Sequence, residues 1–250
     1  MPGIHSNPNR YYRRNLNIHP DETTFQVVLE ETDLWITAEK DFSIEALDYV
    51  QKLRSELKQY INLHNQFLHA LEPIQVYRDS PEIVHKMAVA AKSMGVGPMA
   101  AVAGTIAHML AEKFVKKSPN LLVENGGDIF LCSTRNRTVG LLADPGQKIK
   151  LGVQIPAAKC PCSLCASSST IGHSLSFGQG DLVAVMAENG SLADAAATSL
   201  ANMLSGKKGL DRMLARAQKL KNLGIWGVFA QKGKNIGAWG DLELINIPDD

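Results

Sequence analysis

Apolar residues follow two rhythms along this chain, and each change of rhythm marks an element. Over residues 23–30 and 33–39 apolar and polar positions alternate, which predicts a β-hairpin turning at Glu31-Thr32. The rhythm then lengthens. Ile44, Leu47, Val50, Leu53, Leu57, Tyr60 and Ile61 fall on one helical face, with Ser43 placed to cap it. A second short helix reaches Leu71 before Pro73 stops the pattern, and Pro81 opens another that runs to about Met94. Gly95-Val96-Gly97-Pro98 breaks that helix, and Pro98 suits the first turn of the next, which extends to about Lys117. Strand patterns at 121–124 and 129–132 flank Asn125-Gly126-Gly127-Asp128, a tight-turn signal because glycines accept the positive φ that a hairpin turn needs. The β pattern continues at 139–143 and 149–155. Residues 160–180, rich in Ser, Gly and Cys, read as irregular. A buried-looking strand at 181–187 leads into a helix capped by Ser191. An amphipathic helix at 211–220 and strands at 225–231 and 236–244 close the chain. Residues 1–20 are polar, carry Pro2, Pro8 and Pro20, and read as a tail or wrapping arm. Neither an internal repeat nor a long linker interrupts residues 21–250. The order of elements predicts one α+β domain with helices packed on a mostly antiparallel sheet.

Composition narrows the class. Of 250 residues, 45% are hydrophobic and 20% charged, the balance of a globular chain able to bury a large core. A net charge of +1 and the lack of a basic stretch interleaved with aromatics leave nucleic acid without an electrostatic footprint. The uncharged run 94–111 holds Gly95, Gly97, Pro98, Gly104 and His108 among alanines. It reads as a small-residue helix buried in the core or against a second subunit, which leaves a homo-oligomer open, and not as a membrane span. Arg13-Arg14 precedes Asn15, Asn17 and His19 rather than an apolar run, so no secretory signal is expected. A cytoplasmic location and reduced Cys132, Cys160, Cys162 and Cys165 follow from that expectation.

The candidate chemistry concentrates in residues 188–200. Asn189-Gly190 signals a turn, Ser191 suits an N-cap, and Asp194 lies in the first turn. Asp194 and Thr198 share one helical face, with only Ala195, Ala196 and Ala197 between them. A carboxylate and a hydroxyl are the oxygen donors that a hard cation such as Mg²⁺ takes alongside substrate phosphates. The same residues also describe a capped helix with a tight alanine face, whose Thr198 bonds its own backbone. Gly97, before Pro98, either lets a backbone approach phosphate at a helix N-terminus or makes a helix-to-helix turn. Gly126 and Gly127 either offer bare amides to a nucleotide or serve the hairpin, and Asp128 either holds a ligand or bonds the turn. Hydroxyls at 167–170, Ser168 and Thr170 among them, precede His173, a candidate general base. Cys160, Cys162 and Cys165 lie within six residues and either form a metal or redox cluster, with Cys132 as a distant ligand, or are reduced structural thiols. Their spacing fits none of the strong Cys-x-x-Cys pair patterns.

Taken in order, these segments resemble the ApbE-like superfamily, the FAD:protein FMN transferases. The resemblance rests on Val123-Glu124-Asn125-Gly126-Gly127-Asp128-Ile129 and Leu192-Ala193-Asp194-Ala195-Ala196-Ala197-Thr198. Three further segments are similar to an uncharacterised bacterial and archaeal branch of that superfamily, over about residues 12–244. They are Glu31-Thr32-Asp33-Leu34, the run from Gly95-Val96-Gly97-Pro98 to Gly104, and Gly172-His173-Ser174-Leu175-Ser176-Phe177-Gly178. The resemblance implies a T-fold-related architecture, FAD or another flavin nucleotide with Mg²⁺ as cofactors, and an acceptor protein whose Thr or Ser receives FMN. It implies that Asp194 and Thr198 hold Mg²⁺ beside the FAD pyrophosphate and that the Ala100 carbonyl joins them. Gly126, Gly127 and Asp128 would shape the nucleotide pocket, with Gly97, Ser168 and Thr170 as further cofactor contacts and His173 as the base. Several positions depart from the pattern. Ala101 stands where the transferases carry the Lys of Asp-x-Gly-x-x-x-Lys-Gly, and the His-x-x-Asp-Pro segment is missing, with His173 its one stand-in. Ser169 replaces a Gly, and Cys160 and Cys162 are foreign to the family, whereas Cys165 is not. The expected function is Mg²⁺-dependent flavin-nucleotide binding, with FMN transfer from FAD to a protein hydroxyl or cleavage of the FAD pyrophosphate. The missing Lys keeps a non-catalytic flavin- or nucleotide-binding module as an alternative, and the thiols keep a metal or redox protein as another.

Overall fold

The computed structural model describes residues 19–141, 150–167 and 182–247. In chain order its strands are β1 (Thr23–Leu29), β2 (Thr32–Ala38), β3 (Leu121–Asn125), β4 (Asp128–Cys132), β5 (Arg137–Gly140), β6 (Lys150–Ile155), β7 (Cys162–Ser167), β8 (Leu182–Ala187), β9 (Ile225–Lys232), β10 (Asn235–Gly240) and β11 (Glu243–Ile247). The helices are α1 (Ser43–Leu63), α2 (Gln66–His69), α3 (Glu82–Met94), α4 (Val102–Phe114), α5 (Gly190–Ala201) and α6 (Gly209–Lys219). Eight strands form one sheet in the order β1-β2-β3-β4-β7-β8-β9-β10, and β11-β6-β5 form a second, with every pairing antiparallel. The α+β architecture with a mostly antiparallel sheet is as the element order predicts.

Strand periodicity builds three layers from this. Successive strand residues face opposite sides, so Leu121, Val123, Phe130, Cys165, Val183 and Val185 pack under the helices. Their neighbours Leu122, Ile129, Leu131, Leu164, Ala184 and Met186 pack toward the small sheet, against Val153 and Ile155. A central sheet covered on both faces must be apolar on both, which is why β3, β4 and β8 read as continuous buried runs.

The structure moves several expected features. The first hairpin turns at Glu30-Glu31, with Leu29 paired to Thr32 and Glu30 at φ 54, one residue earlier than expected. Ser43 is the first residue of α1 rather than its cap, and its N–H bonds the Asp41 carboxylate. Pro98 opens a 3-10 turn, Pro98–Ala101, before α4 begins. The largest correction concerns residues 160–180. Cys162–Ser167 is no loop but a strand in the middle of the main sheet. Its Cys, Ser and Ala carry little strand signal, and on the face with Cys165 their small size suits the helix packed on them. The expected last strand also divides. At Gly240 (φ 88) a Cβ would lie 2.2 Å from the Trp226 carbonyl, so the chain bends there and β11 joins the second sheet.

Two glycines set the contact between α4 and α5. A Cβ on Gly104 would lie 2.4 Å from the Gly190 carbonyl and 2.8 Å from Asp194 Cβ. A Cβ on Gly190 would lie 2.4 Å from the Gly104 carbonyl. The helices therefore meet backbone to backbone at their N-terminal ends. Most of α4 is buried within its own chain, so core packing accounts for its small residues. Among the described residues no single helix is long and apolar enough to cross a membrane.

Gly104→Ala and Gly190→Ala should each cost about 2 kcal/mol or more in chemical denaturation, since the clash is with backbone on both sides. Gly95→Ala, at φ 72 with open space around it, should cost only about 1 kcal/mol, from the left-handed backbone alone.

Candidate functional site

The site grows from the segment that follows β8. Asn189 caps α5, its side chain accepting the Leu192 N–H at 3.1 Å. Ser191, the expected cap, instead shares a 2.8 Å hydrogen bond with the Thr105 hydroxyl and ties α5 to α4. Asp194 and Thr198 lie one turn apart on a buried face. Asp194 does not serve its own helix. Its carboxylate accepts the Gly104 N–H at 2.8 Å and also the Ala103 N–H. These are first-turn donors of α4, which have no acceptor within that helix. In a continuous helix the Gly104 N–H would return to the Ala100 carbonyl. Here α4 starts at Val102 and that donor goes to Asp194.

A second carboxyl comes from the sheet. Gly126 (φ 73) and Gly127 (φ 152) make the β3–β4 turn, a backbone path that glycine follows without strain. Asp128 follows directly, paired with Asn125. The Asn125 amide donates to the Ala103 carbonyl at 3.1 Å, which fastens the turn to the start of α4. Asp128 accepts the Ala166 N–H at 3.3 Å and the Cys165 thiol. It thus bonds across to β7 rather than within its own turn.

Asp128 and Asp194 are close enough to repel each other's charge. Burial first, and then Glu124, pushes the Asp128 carboxyl up to about 7. Burial, then the Asp128 charge, pushes Asp194 well above the usual carboxylate range, and the Gly104 and Ala103 N–H groups only partly oppose this. Cys165 sits with them. Burial and the two carboxylates drive its thiol far up, so it behaves as an inert packing group.

Two hydroxyls complete the cluster. Among the described residues, Thr198 Oγ1 and Ser167 Oγ are buried without a hydrogen-bond partner. A threonine in a helix ordinarily bonds its own backbone, and Thr198 does not. Leaving such a group unpaired costs about 1–3 kcal/mol. Ser167 lies two residues beyond Cys165 and therefore on the helix-facing side of β7. The sequence places it among the hydroxyls at 167–170 but gives it no role of its own, because the strand there is not recognised; once Cys165 is known to face inward, alternation puts Ser167 on the same side.

The remaining candidates divide. Ala100, in the 3-10 turn, is half-buried beside the start of α4. Gly97 packs on Ala70, whose carbonyl would lie 1.7 Å from a Cβ there. Its small size is a packing requirement. Ser168, Thr170 and His173 lie outside the described residues. The cysteine cluster does not converge: Cys162 faces the small sheet and Cys165 the helices. Among the described residues no group of three His, Cys, Asp or Glu side chains is arranged to hold a metal ion.

The raised carboxyls make stability depend on pH in a definite direction. A carboxyl whose folded pKa exceeds its unfolded value binds more protons when folded, so its contribution is full below about 3.8 and is lost as pH rises toward about 7. For Asp128 the ceiling on that loss is about 4 kcal/mol. Without added metal, the melting temperature of the wild type relative to Asp128→Asn should fall as pH goes from about 4 to about 7. A pH-independent difference between the two would contradict the buried-pair electrostatics.

Comparison with known proteins bears on the family and the fold. The family model described as AbpE bacteria matches residues 16–224. A UPF0280 protein of Methanocaldococcus jannaschii is 36% identical over 212 residues, covering 82% of this chain and 85% of the relative. A UPF0280 protein of Archaeoglobus fulgidus is 40% identical over 196 residues, covering 76% and 80%. Among solved structures, the flavin transferase ApbE of Vibrio cholerae aligns with a TM-score of 0.52 at 12% identity, over 88% of this chain and 96% of the other. The ApbE protein of Thermotoga maritima gives 0.55 at 11% identity, over 86% and 96%. At such identities the structures speak for a shared fold. The sequence match is the stronger bond: this chain belongs to the AbpE bacteria family, an uncharacterised branch of the ApbE-like superfamily.

Proposed function

We propose that this protein binds a flavin nucleotide together with Mg²⁺, and that it transfers FMN from FAD to a hydroxyl of an acceptor protein or cleaves the FAD pyrophosphate. The observation that carries the proposal is the Thr198 hydroxyl, buried and unpartnered one turn from a carboxylate that itself faces a second carboxylate. Apolar packing gives no reason for such an arrangement; a cation fits it. The donors are all oxygens, as Mg²⁺ requires.

In this reading Asp194 and Thr198 hold the metal, and the Ala100 carbonyl, released from its helical donor, is the third protein ligand. Bound there, Mg²⁺ would neutralise the pyrophosphate and polarise the bond to be cleaved. Asp194 keeps its grip on the Ala103 and Gly104 amides, so the ligand set is held rigid by the same bonds that start α4. The Gly126-Gly127 turn leaves bare amides for the nucleotide, and Asp128, titrating near neutrality, can hold or release a proton at the pocket. Ser167 offers a free hydroxyl on the same face. Ser168 and Thr170 extend the cofactor contacts, and His173 is the base for the acceptor hydroxyl or water. Transfer by the family of solved flavin transferases supports the group-transfer half of the proposal through fold alone.

Ala101 favours the second reading, a flavin-binding module without turnover. It is fully buried where the resemblance expects a lysine, so no cation from that position reaches the phosphates.

Thr198→Val tests the site without disturbing its scaffold. Removing an unpaired hydroxyl should leave the melting temperature unchanged or slightly raised. The variant should lose the Mg²⁺-dependent part of the thermal shift that FAD produces in the wild type. AMP release from FAD with Mg²⁺ supports transfer or cleavage, and a shift without AMP supports the module. A wild type that shows no shift with FAD, with or without Mg²⁺, defeats both.

A further inference from the structure

The far end of β4 and β7 holds a second cluster that the flavin reading does not use. Cys162 opens β7 opposite Leu131, whereas Asp128 bonds Ala166 near the other end of the same strand. Four strand residues separate the two places by about 13 Å. Cys160 precedes Cys162 by one proline, and the two sulfurs are hydrogen-bonded to each other. Cys132, the residue after Leu131, is near enough to feel the Cys160 charge and to be felt by Cys162.

The thiols at this end differ in exposure. Cys162 is fully buried and Cys132 nearly so, while Cys160 is half-buried at the rim of the small-sheet core. Cys160 also has the surroundings that favour a thiolate. The Cys162 thiol donates to it, the Ser133 N–H points at it, and the Arg137 guanidinium lies nearby, so its pKa falls, while the hydrogen bond to Cys160 and then burial drive Cys162 up and burial drives Cys132 up. Arg137 is held in place by Glu22 and by the Ser133 hydroxyl at 2.9 Å. Lys159 is occupied by the Asp241 carboxylate at 2.7 Å. A partly exposed thiol whose pKa is lowered, beside a buried partner, is the arrangement of an attacking and a resolving cysteine.

We propose that Cys160 and Cys162 form a thiol–disulfide exchange site, independent of the flavin site, that is oxidised by low-molecular-weight disulfides. The Cys160 thiolate attacks one sulfur of such a disulfide. That S–S bond breaks, its other half leaves as a thiolate and takes up a proton, and a mixed disulfide stays on Cys160. Cys162 then gives up its proton, its sulfur attacks Cys160 Sγ, and the second half of the reagent leaves as a thiol. Two protein thiols are oxidised to one disulfide, and the reagent disulfide is reduced to two thiols. Cys165, on the other face of β7 beneath α5, takes no part.

The test uses the full chain, fully reduced and then incubated with oxidised glutathione. Thiol titration after denaturation should fall from four to two, and the intact mass should drop by two hydrogens with no glutathione retained. Fragmentation should place the bridge between Cys160 and Cys162. Cys162→Ala should stop at the mixed disulfide and keep one glutathione, Cys160→Ser should not react, and Cys165→Ala should behave as the wild type. Native Cys160 should react with an aromatic disulfide reagent on the order of tenfold faster than the other thiols. Four surviving thiols, glutathione retained on the wild type, or a bridge to Cys132 or Cys165 would each overturn the proposal. None of these readouts depends on flavin or Mg²⁺, so the two proposals stand or fall separately.

Discussion

The site depends on one carboxylate that starts a helix other than its own. Asp194, on α5, accepts the Ala103 and Gly104 amides at the head of α4. Those donors have no acceptor inside α4, so α4 cannot begin cleanly without α5. The bond also requires that the two helices approach closely, and that is why both contact positions are glycine. Helix start, helix packing and the position of a candidate metal ligand are thus one interaction. A substitution that disturbs any of them disturbs all three.

The cost of this arrangement lies in electrostatics. Asp194 and Asp128 are both buried, and the Asp128 charge adds to burial in raising the Asp194 carboxyl. Proteins rarely keep such a pair for stability alone, since burying unpaired charge is expensive. The orphaned hydroxyls of Thr198 and Ser167 add to the cost. Unfavourable groups gathered at one place, in a chain otherwise built from ordinary apolar layers, mark the place where a ligand would offset them. The opposite end of β4 and β7 is organised differently. There Arg137, Glu22, Ser133 and Asn120 satisfy one another through hydrogen bonds.

How much was legible depended on what set each residue's identity. The Asp194–Thr198 face was plain, because helix geometry alone brings residues four apart together. The Gly126-Gly127 turn was plain for a similar reason, since positive φ leaves few other choices. β7 was not legible. Ser163, Cys165 and Ser167 face the helices, where small side chains take the place of the bulky β-branched residues that announce a strand, and without the strand the facing of Ser167 was hidden. Ser191 looked like a cap by type, yet Asn189 captured the role because the Thr105 hydroxyl on α4 claimed Ser191. Local propensity cannot anticipate a partner more than eighty residues away in sequence.

By itself the sequence determined the class of fold, most elements to within a few residues, and the oxygen donors of one helical face. These are matters of period, turn chemistry and residue type, which act over a few neighbours. Only the tertiary structure decided what those donors do. It turned Asp194 toward another helix, set Asp128 against it from a different strand, left Thr198 unpaired, and sent Cys162 and Cys165 to opposite sides of the sheet. Charge repulsion, burial and unmet hydrogen bonds arise between segments far apart in the chain, and no local pattern contains them.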